Sequence, residues 1–203
     1  MNSRAQLPPM EELGPWARAF LGPKGLVIAF LWGLAEGTFF FVIPDVFLSL
    51  VAILDLRSTW KHVVCAVLGA TLGGAILFQW ALQNPTAAHA AVEHVPFVRE
   101  SMFRRVDQGL RADGPLDVVV GSMSGIPYKL YAVQAPGYFG AATFLLATPP
   151  ARGLRFCIIW YTFGAAAAWL RKSRGLRTAS LLRIYAGVWF AVYALYWGKI
   201  LSH

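Results

Sequence analysis

GSMSGIPYKLYAVQAPGYFG, residues 121–140, places Lys129 two positions after Pro127 inside a long apolar region, then adds Pro136, Gly137 and Gly140. A helix facing lipid gains nothing from a lysine and two prolines. In hydrocarbon every backbone polar group needs a partner, so broken backbone persists only inside protein or beside a wet cavity. An ionisable side chain at such a break marks a functional site. The segment therefore predicts a re-entrant helical hairpin over residues 116–148, with Lys129 near its tip.

The bulk numbers agree with a bilayer environment. The 203-residue chain is 57% apolar and 14% charged, with a mean hydropathy of +0.53. Soluble domains are nearer half apolar and a quarter charged. The reading is an all-α integral membrane protein. The net charge of +8 sits mostly at the ends of apolar runs. That distribution suits anionic headgroups and cytoplasmic flanks. It excludes a nucleic-acid binder, which needs a basic face.

The flanking segments complete the layout. Residues 1–24 form a polar segment with an interfacial helix around residues 10–21. Residues 25–56 are apolar but interrupted by Glu36 and by Pro44-Asp45. They exceed the roughly 20 residues of one crossing and read as either one long tilted helix or a first re-entrant hairpin, the latter being the expectation. Residues 63–82 form a spanning helix carrying GATLGG at 69–74, a small-residue pattern that allows close helix approach. Residues 83–115 form a polar loop. Within it FVRESMFRRVDQGL, residues 97–110, predicts an amphipathic interfacial helix with Phe97, Met102, Phe103, Val106 and Leu110 on its apolar face. Residues 154–170 and 181–201 are further spanning helices. All of residues 25–201 form one membrane domain.

Arg171, Lys172, Arg174 and Arg177 form the densest basic cluster and are expected on the cytoplasmic side. Counting back, two hairpins inserted from opposite faces also put the basic N-terminus inside. No cleavable signal peptide is expected, since the first apolar run is too long for one. Cys65 and Cys157 lie in apolar segments and read as small hydrophobes. His62, His89, His94 and His203 show no metal-ligand spacing, so no metal or other cofactor is expected. Trp60, Trp80, Trp169 and Trp197 read as interface anchors. Tyr185, Trp189, Tyr193 and Tyr196 form a packing stripe.

Two blocks resemble the DedA family, also called the VTT or SNARE-associated family, in its YqaA-like branch. The first is EGTFFFVIPDVFL, residues 36–48, similar to that family's acidic hairpin. The second runs from Gly114 through Gly121 and Ile126-Pro127-Tyr128-Lys129 to Gly137 and Arg152. The resemblance implies an inverted pair of re-entrant hairpins. It also implies movement of phosphate-bearing lipids, such as undecaprenyl phosphate or phospholipids, in a bacterial inner membrane. By position, Glu36 and Asp45 take the embedded acidic places. Lys129 takes the basic place, and Arg152 or Arg155 the arginine that follows. Ser124 stands where many members carry arginine.

The chemistry of these residues suits that task. Embedded cations give charge-assisted hydrogen bonds to a phosphate. Broken helices add free backbone N–H groups. Lys129, Arg152 and Arg155 are the candidate headgroup contacts, with Ser122, Ser124 and Tyr128 as hydroxyl donors. Glu36 and Asp45 are candidate proton carriers, which makes protons the candidate coupling ion. A homo-oligomer is left open. The bland reading is that Glu36 with Lys129, or Asp45 with Arg152, form structural ion pairs, and that Arg155 extends to the interface. The rival function is an assembly protein without transport. An intramembrane enzyme is disfavoured, because GSMSG at 121–125 has no histidine in a spanning segment to activate a serine.

Overall fold

A computed structural model describes residues 14–201. Among them every regular element is helical. Helix α1 (Pro15–Leu21) meets α2 (Pro23–Thr38) at a 61° bend over Gly22. Pro23 opens α2 at the position where a missing N–H costs nothing. After α2 the chain is irregular over residues 39–44. Helix α3 (Asp45–Leu54) then starts directly after Pro44.

The pair α2–α3 forms a helical hairpin. The Trp32 indole donates to the Val42 carbonyl at 2.8 Å, and its ring stacks on Phe47 at 5.9 Å. Leu21, near the start of α2, packs beside Leu54 at the end of α3. The chain thus breaks after Thr38 and resumes as a shorter helix whose start packs on the middle of α2. The interfacial helix expected at residues 10–21 is represented by α1. Its residues 10–13 lie outside the described residues.

Helix α4 (Thr59–Gln83) is the central element. Its 25 residues span about 37 Å, enough to cross a bilayer. It lies directly against α2, because glycine faces backbone on both helices. A Cβ on Gly33 would stand 2.2 Å from the Ala66 carbonyl oxygen, and one on Gly69 2.0 Å from that of Phe30. No side chain fits there, so the sequence GATLGG is read out as close packing.

The polar stretch contains two helices, α5 (Pro85–Glu93) and α6 (Glu100–Asp113). Asn84 caps α5 by accepting from the Ala87 N–H at 3.0 Å. The expected interfacial helix at 97–110 needs correction. Phe97 lies outside α6, with φ at 71°, and Phe103, Val106 and Leu110 are buried in the same cluster as Leu77 and Tyr131. The apolar face is satisfied by protein.

The second break follows α7 (Pro115–Gly121). Residues 122–127 are irregular, α8 (Tyr128–Gln134) follows Pro127, and a 3₁₀ turn covers Ala135–Gly137. The chain then departs from the expected boundaries. Helix α9 runs unbroken over Ala141–Arg174, so Pro149 and Pro150 do not separate a hairpin ending at 148 from a helix beginning at 154. Both prolines are solvent- or lipid-facing, while Thr148 and Arg152 on the opposite side are buried. The Thr148 hydroxyl donates to the Phe144 carbonyl at 2.9 Å, whereas the carbonyls the prolines leave without N–H donors are those of Leu145 and Leu146. Gly175 in the left-handed conformation ends α9, and α10 (Thr178–Leu201) follows.

Among the described residues three helices, α4, α9 and α10, are long and apolar enough to cross a membrane, or four spans if α1 and α2 count as one bent crossing. Their exposed faces carry Leu68, Leu72, Ile158, Tyr161, Phe190 and Leu195. That is the surface expected of helices whose outer solvent is hydrocarbon.

Candidate functional site

The two breaks meet. Lys129 occupies the first turn of α8, and its ammonium donates to the Phe40 carbonyl at 2.8 Å, across 89 residues of sequence. The acceptor exists because the helix has ended: a carbonyl in residues 39–44 is not committed to an α-helical ladder. A cation at a helix N-terminus also runs against the helix dipole. Neither placement follows from helix stability alone.

Two ion pairs flank this contact. On α9, Arg152 and Arg155 are three residues apart and so share a face. Arg152 Nη2 lies 2.6 Å from Glu36 Oε2, and both side chains are almost fully buried, at 1% and 4% exposure. Arg155 donates from Nε at 3.1 Å and Nη2 at 2.9 Å to the same Asp45 oxygen, Oδ2. Arg155 remains 21% exposed while Asp45 is buried. The pairing corrects the expectation of Glu36 with Lys129 and Asp45 with Arg152. It also corrects the expectation that Arg155 extends to an interface. The helical register decides it: one unbroken α9 puts Arg152 beside α2 and Arg155 beside the start of α3.

The five groups form one electrostatic neighbourhood. Asp45 feels Arg155, Arg152 and Glu36, and Lys129 feels Glu36 and Arg152. Three cations meet two carboxylates, so the ionised cluster carries one surplus positive charge. Among the described residues no carboxylate lies within ion-pair distance of Lys129. Two buried atoms of the cluster, Asp45 Oδ1 and Arg152 Nε, have no hydrogen-bond partner among the described residues. An ammonium has three donors. The cluster therefore retains hydrogen-bonding capacity.

Of these groups Lys129, with Glu36 and Arg155, lines a cavity of about 130 Å³, while Asp45 and Arg152 do not line it. These three are its charged lining residues. Phe41 and Ile43 from the first break, and Gly125 and Pro127 from the second, form its sides. Residues 95–98 and Met102 also line it, as do Val192 and Tyr193 of α10. The lining thus combines three charged side chains with mostly apolar ones.

The expected hydroxyl donors are directed elsewhere. Ser122 donates to the Val118 carbonyl at 2.5 Å and Ser124 to that of Gly121 at 2.7 Å, both within the end of α7. The Tyr128 hydroxyl is 2.7 Å from that of Thr148, joining α8 to α9. The tyrosine contributes by its ring: the Arg152 guanidinium lies 5.4 Å from it and 4.7 Å from that of Phe156. This aromatic cradle orients Arg152 toward Glu36.

Sequence reasoning missed the Phe40 carbonyl, the Phe156 ring, and the walls from residues 95–98 and α10. A backbone acceptor leaves no residue-type signal. Val95-Pro96-Phe97-Val98 does leave one, as an apolar island in a polar stretch. Tyr193 lay in the stripe read as packing.

No family model, no curated protein and no solved structure matches this chain.

Proposed function

We propose that this protein is a membrane transporter, a flippase or scramblase, for phosphate-bearing lipids, as its resemblance to the DedA family suggests. One observation carries the reading: two cations and one carboxylate line, together with mostly apolar residues, a cavity between two interruptions of the chain. A phosphate monoester or diester needs several charge-assisted donors and a dry enclosure. Its tail needs an apolar path. Lys129 and Arg155 are the headgroup contacts in this reading. Glu36 and Asp45 hold the arginines in position and exchange protons as the headgroup comes and goes. Undecaprenyl phosphate and phospholipids both meet the chemical requirement.

In the same reading the two hairpins are re-entrant from opposite faces of a bacterial inner membrane. The segment 171–177 and the N-terminus are cytoplasmic, and the protein is not an enzyme. The basic residues Arg171, Lys172, Arg174 and Arg177 support that orientation.

A second reading, an assembly protein held together by embedded ion pairs, is favoured by the complete burial of Glu36 with Arg152. Reconstitution separates the two. Vesicles containing wild type, Lys129→Ala or Glu36→Gln at equal folded amounts are loaded with a labelled polyprenyl phosphate or phospholipid, and movement between leaflets is followed. The transport reading expects movement in wild type and at least about tenfold less in Lys129→Ala, as loss of a charged hydrogen bond implies. Equal movement with and without protein favours the assembly reading.

A further inference from the structure

The cavity has a third wall that the charges do not explain. Residues 95–98 line it from the stretch between α5 and α6, and Val192 and Tyr193 line it from α10. Three rings meet where these walls adjoin the first break. Phe41 lies 5.8 Å from Phe97 and 6.4 Å from Trp197, and Phe97 lies 5.2 Å from Trp197. The three come from three separate parts of the chain, so the cluster closes a junction rather than filling one element's core.

Phe97 holds φ at 71°, and it is the one non-glycine residue with positive φ among the described residues. L side chains rarely adopt that conformation, and a bulky one is a clear outlier. Such backbone is kept where surrounding contacts over-determine it, and it gathers at clamps and switches. Here it turns the Phe97 ring toward Phe41 and Trp197. Helix α10 is tied to α3 earlier along its length. The Tyr185 hydroxyl donates to the Val46 carbonyl at 2.7 Å, and the Trp189 indole to the Ser49 hydroxyl at 3.0 Å. Trp197 lies about two turns beyond that attachment. It is 43% exposed, so the cluster borders the surroundings.

We infer that Phe41, Phe97 and Trp197 form the gate through which an amphiphile with a phosphate headgroup and an alkyl tail reaches the cavity, opened by displacement of the end of α10 from residues 95–98. The inference rests on the phosphate-site reading above. Ring contacts suit the task, because they are broken without leaving hydrogen-bonding groups unsatisfied. The same rings offer an apolar surface to a passing tail.

The test locks the gate. Phe97→Cys and Trp197→Cys are introduced together in a Cys65→Ala, Cys157→Ala background. The two thiols are joined by a short bis-methanethiosulfonate reagent, whose disulfides a thiol reductant cleaves. The probe is dodecyl phosphate, and the readout is its effect on the thermal midpoint of the purified protein. The gate predicts that probe added before the lock raises the midpoint. Probe added after the lock should give less than about a tenth of that rise, with recovery on reduction. An equal rise in either order overturns the gate and leaves the phosphate site standing. Absence of any rise in the unlocked protein overturns the phosphate site, and the gate with it.

Discussion

Glu36 and Arg152 are 116 residues apart in sequence, yet their carboxylate and guanidinium meet at 2.6 Å with both side chains buried. That contact pins the middle of α9 to the end of α2, and Asp45–Arg155 repeats the arrangement one turn further on. A helix carrying its two arginines three residues apart spans both sides of the first chain break.

Breaking that pair from one side leaves an isolated charge in a buried place. Arg152→Met or Glu36→Leu should each destabilise by about 3–5 kcal/mol. The double variant Glu36→Leu/Arg152→Met should recover most of that loss, because a hydrophobic pair avoids the desolvation of two ions. Thermal midpoints of the purified variants check this. A double variant as unstable as the sum of the singles would contradict it.

Lys129 should behave differently. Its ammonium gives one hydrogen bond to a backbone carbonyl and faces the cavity. Lys129→Met keeps the apolar stem and should cost about 1–3 kcal/mol, the range for one charged hydrogen bond. Its main effect should fall on binding of alkyl phosphates, read by titration calorimetry. Full-strength binding in a folded Lys129→Met protein would remove the lysine from the site.

Asp45→Asn removes one of the two negative charges and loosens the hold on Arg155. Alkyl phosphate should then bind more tightly, about three- to tenfold, since a neutral partner no longer competes electrostatically for the guanidinium. Thermal stability should fall in the same variant. Weaker phosphate binding would show that Asp45 does not act as a competitor for Arg155.

Outside the apolar helices, Asp107 accepts from Arg111 on its own helix, at 2.9 and 3.2 Å, and from the Tyr138 hydroxyl beyond α8. The Arg111 hydrogen bonds, and then that of Tyr138, hold the Asp107 carboxyl below the usual carboxylate range. A depressed carboxyl stabilises the fold above its unfolded value, about 3.9, and that contribution disappears as pH falls through its lower folded value. Asp107→Asn should flatten the acid limb of a stability-against-pH curve below about pH 4 and leave the neutral region unchanged in slope. An identical acid limb in the variant would contradict the assignment.

Much of this architecture is legible in the sequence. Pro44-Asp45 and Pro127 mark both breaks, because proline and an embedded charge cannot sit in an uninterrupted lipid-facing helix. GATLGG at 69–74 signals close approach, and the structure puts Gly69 and Gly73 at the α2–α4 contact; Gly33, which meets Ala66 from α2, carried no such pattern. The same logic failed at Pro149-Pro150. Two prolines on the outer face of a helix remove donors that the protein can forgo, and nothing in residue type separates that case from a true break. The charge pairing was illegible for a related reason. Which arginine meets which acid depends on the helical phase of α9, and that phase is set only once 141–174 is known to be continuous. The apolar face of 97–110 shows its amphipathicity plainly. Whether lipid or protein covers it is a tertiary outcome.

Equilibrium binding of dodecyl phosphate, compared with dodecanol, to the purified protein separates a phosphate site from a plain apolar pocket. The account expects the phosphate to bind at least about tenfold more tightly than the alcohol, and that preference to vanish in Lys129→Met, as removal of a charge-assisted hydrogen bond implies. Equal binding of the two compounds, or a preference that survives in Lys129→Met, would contradict it.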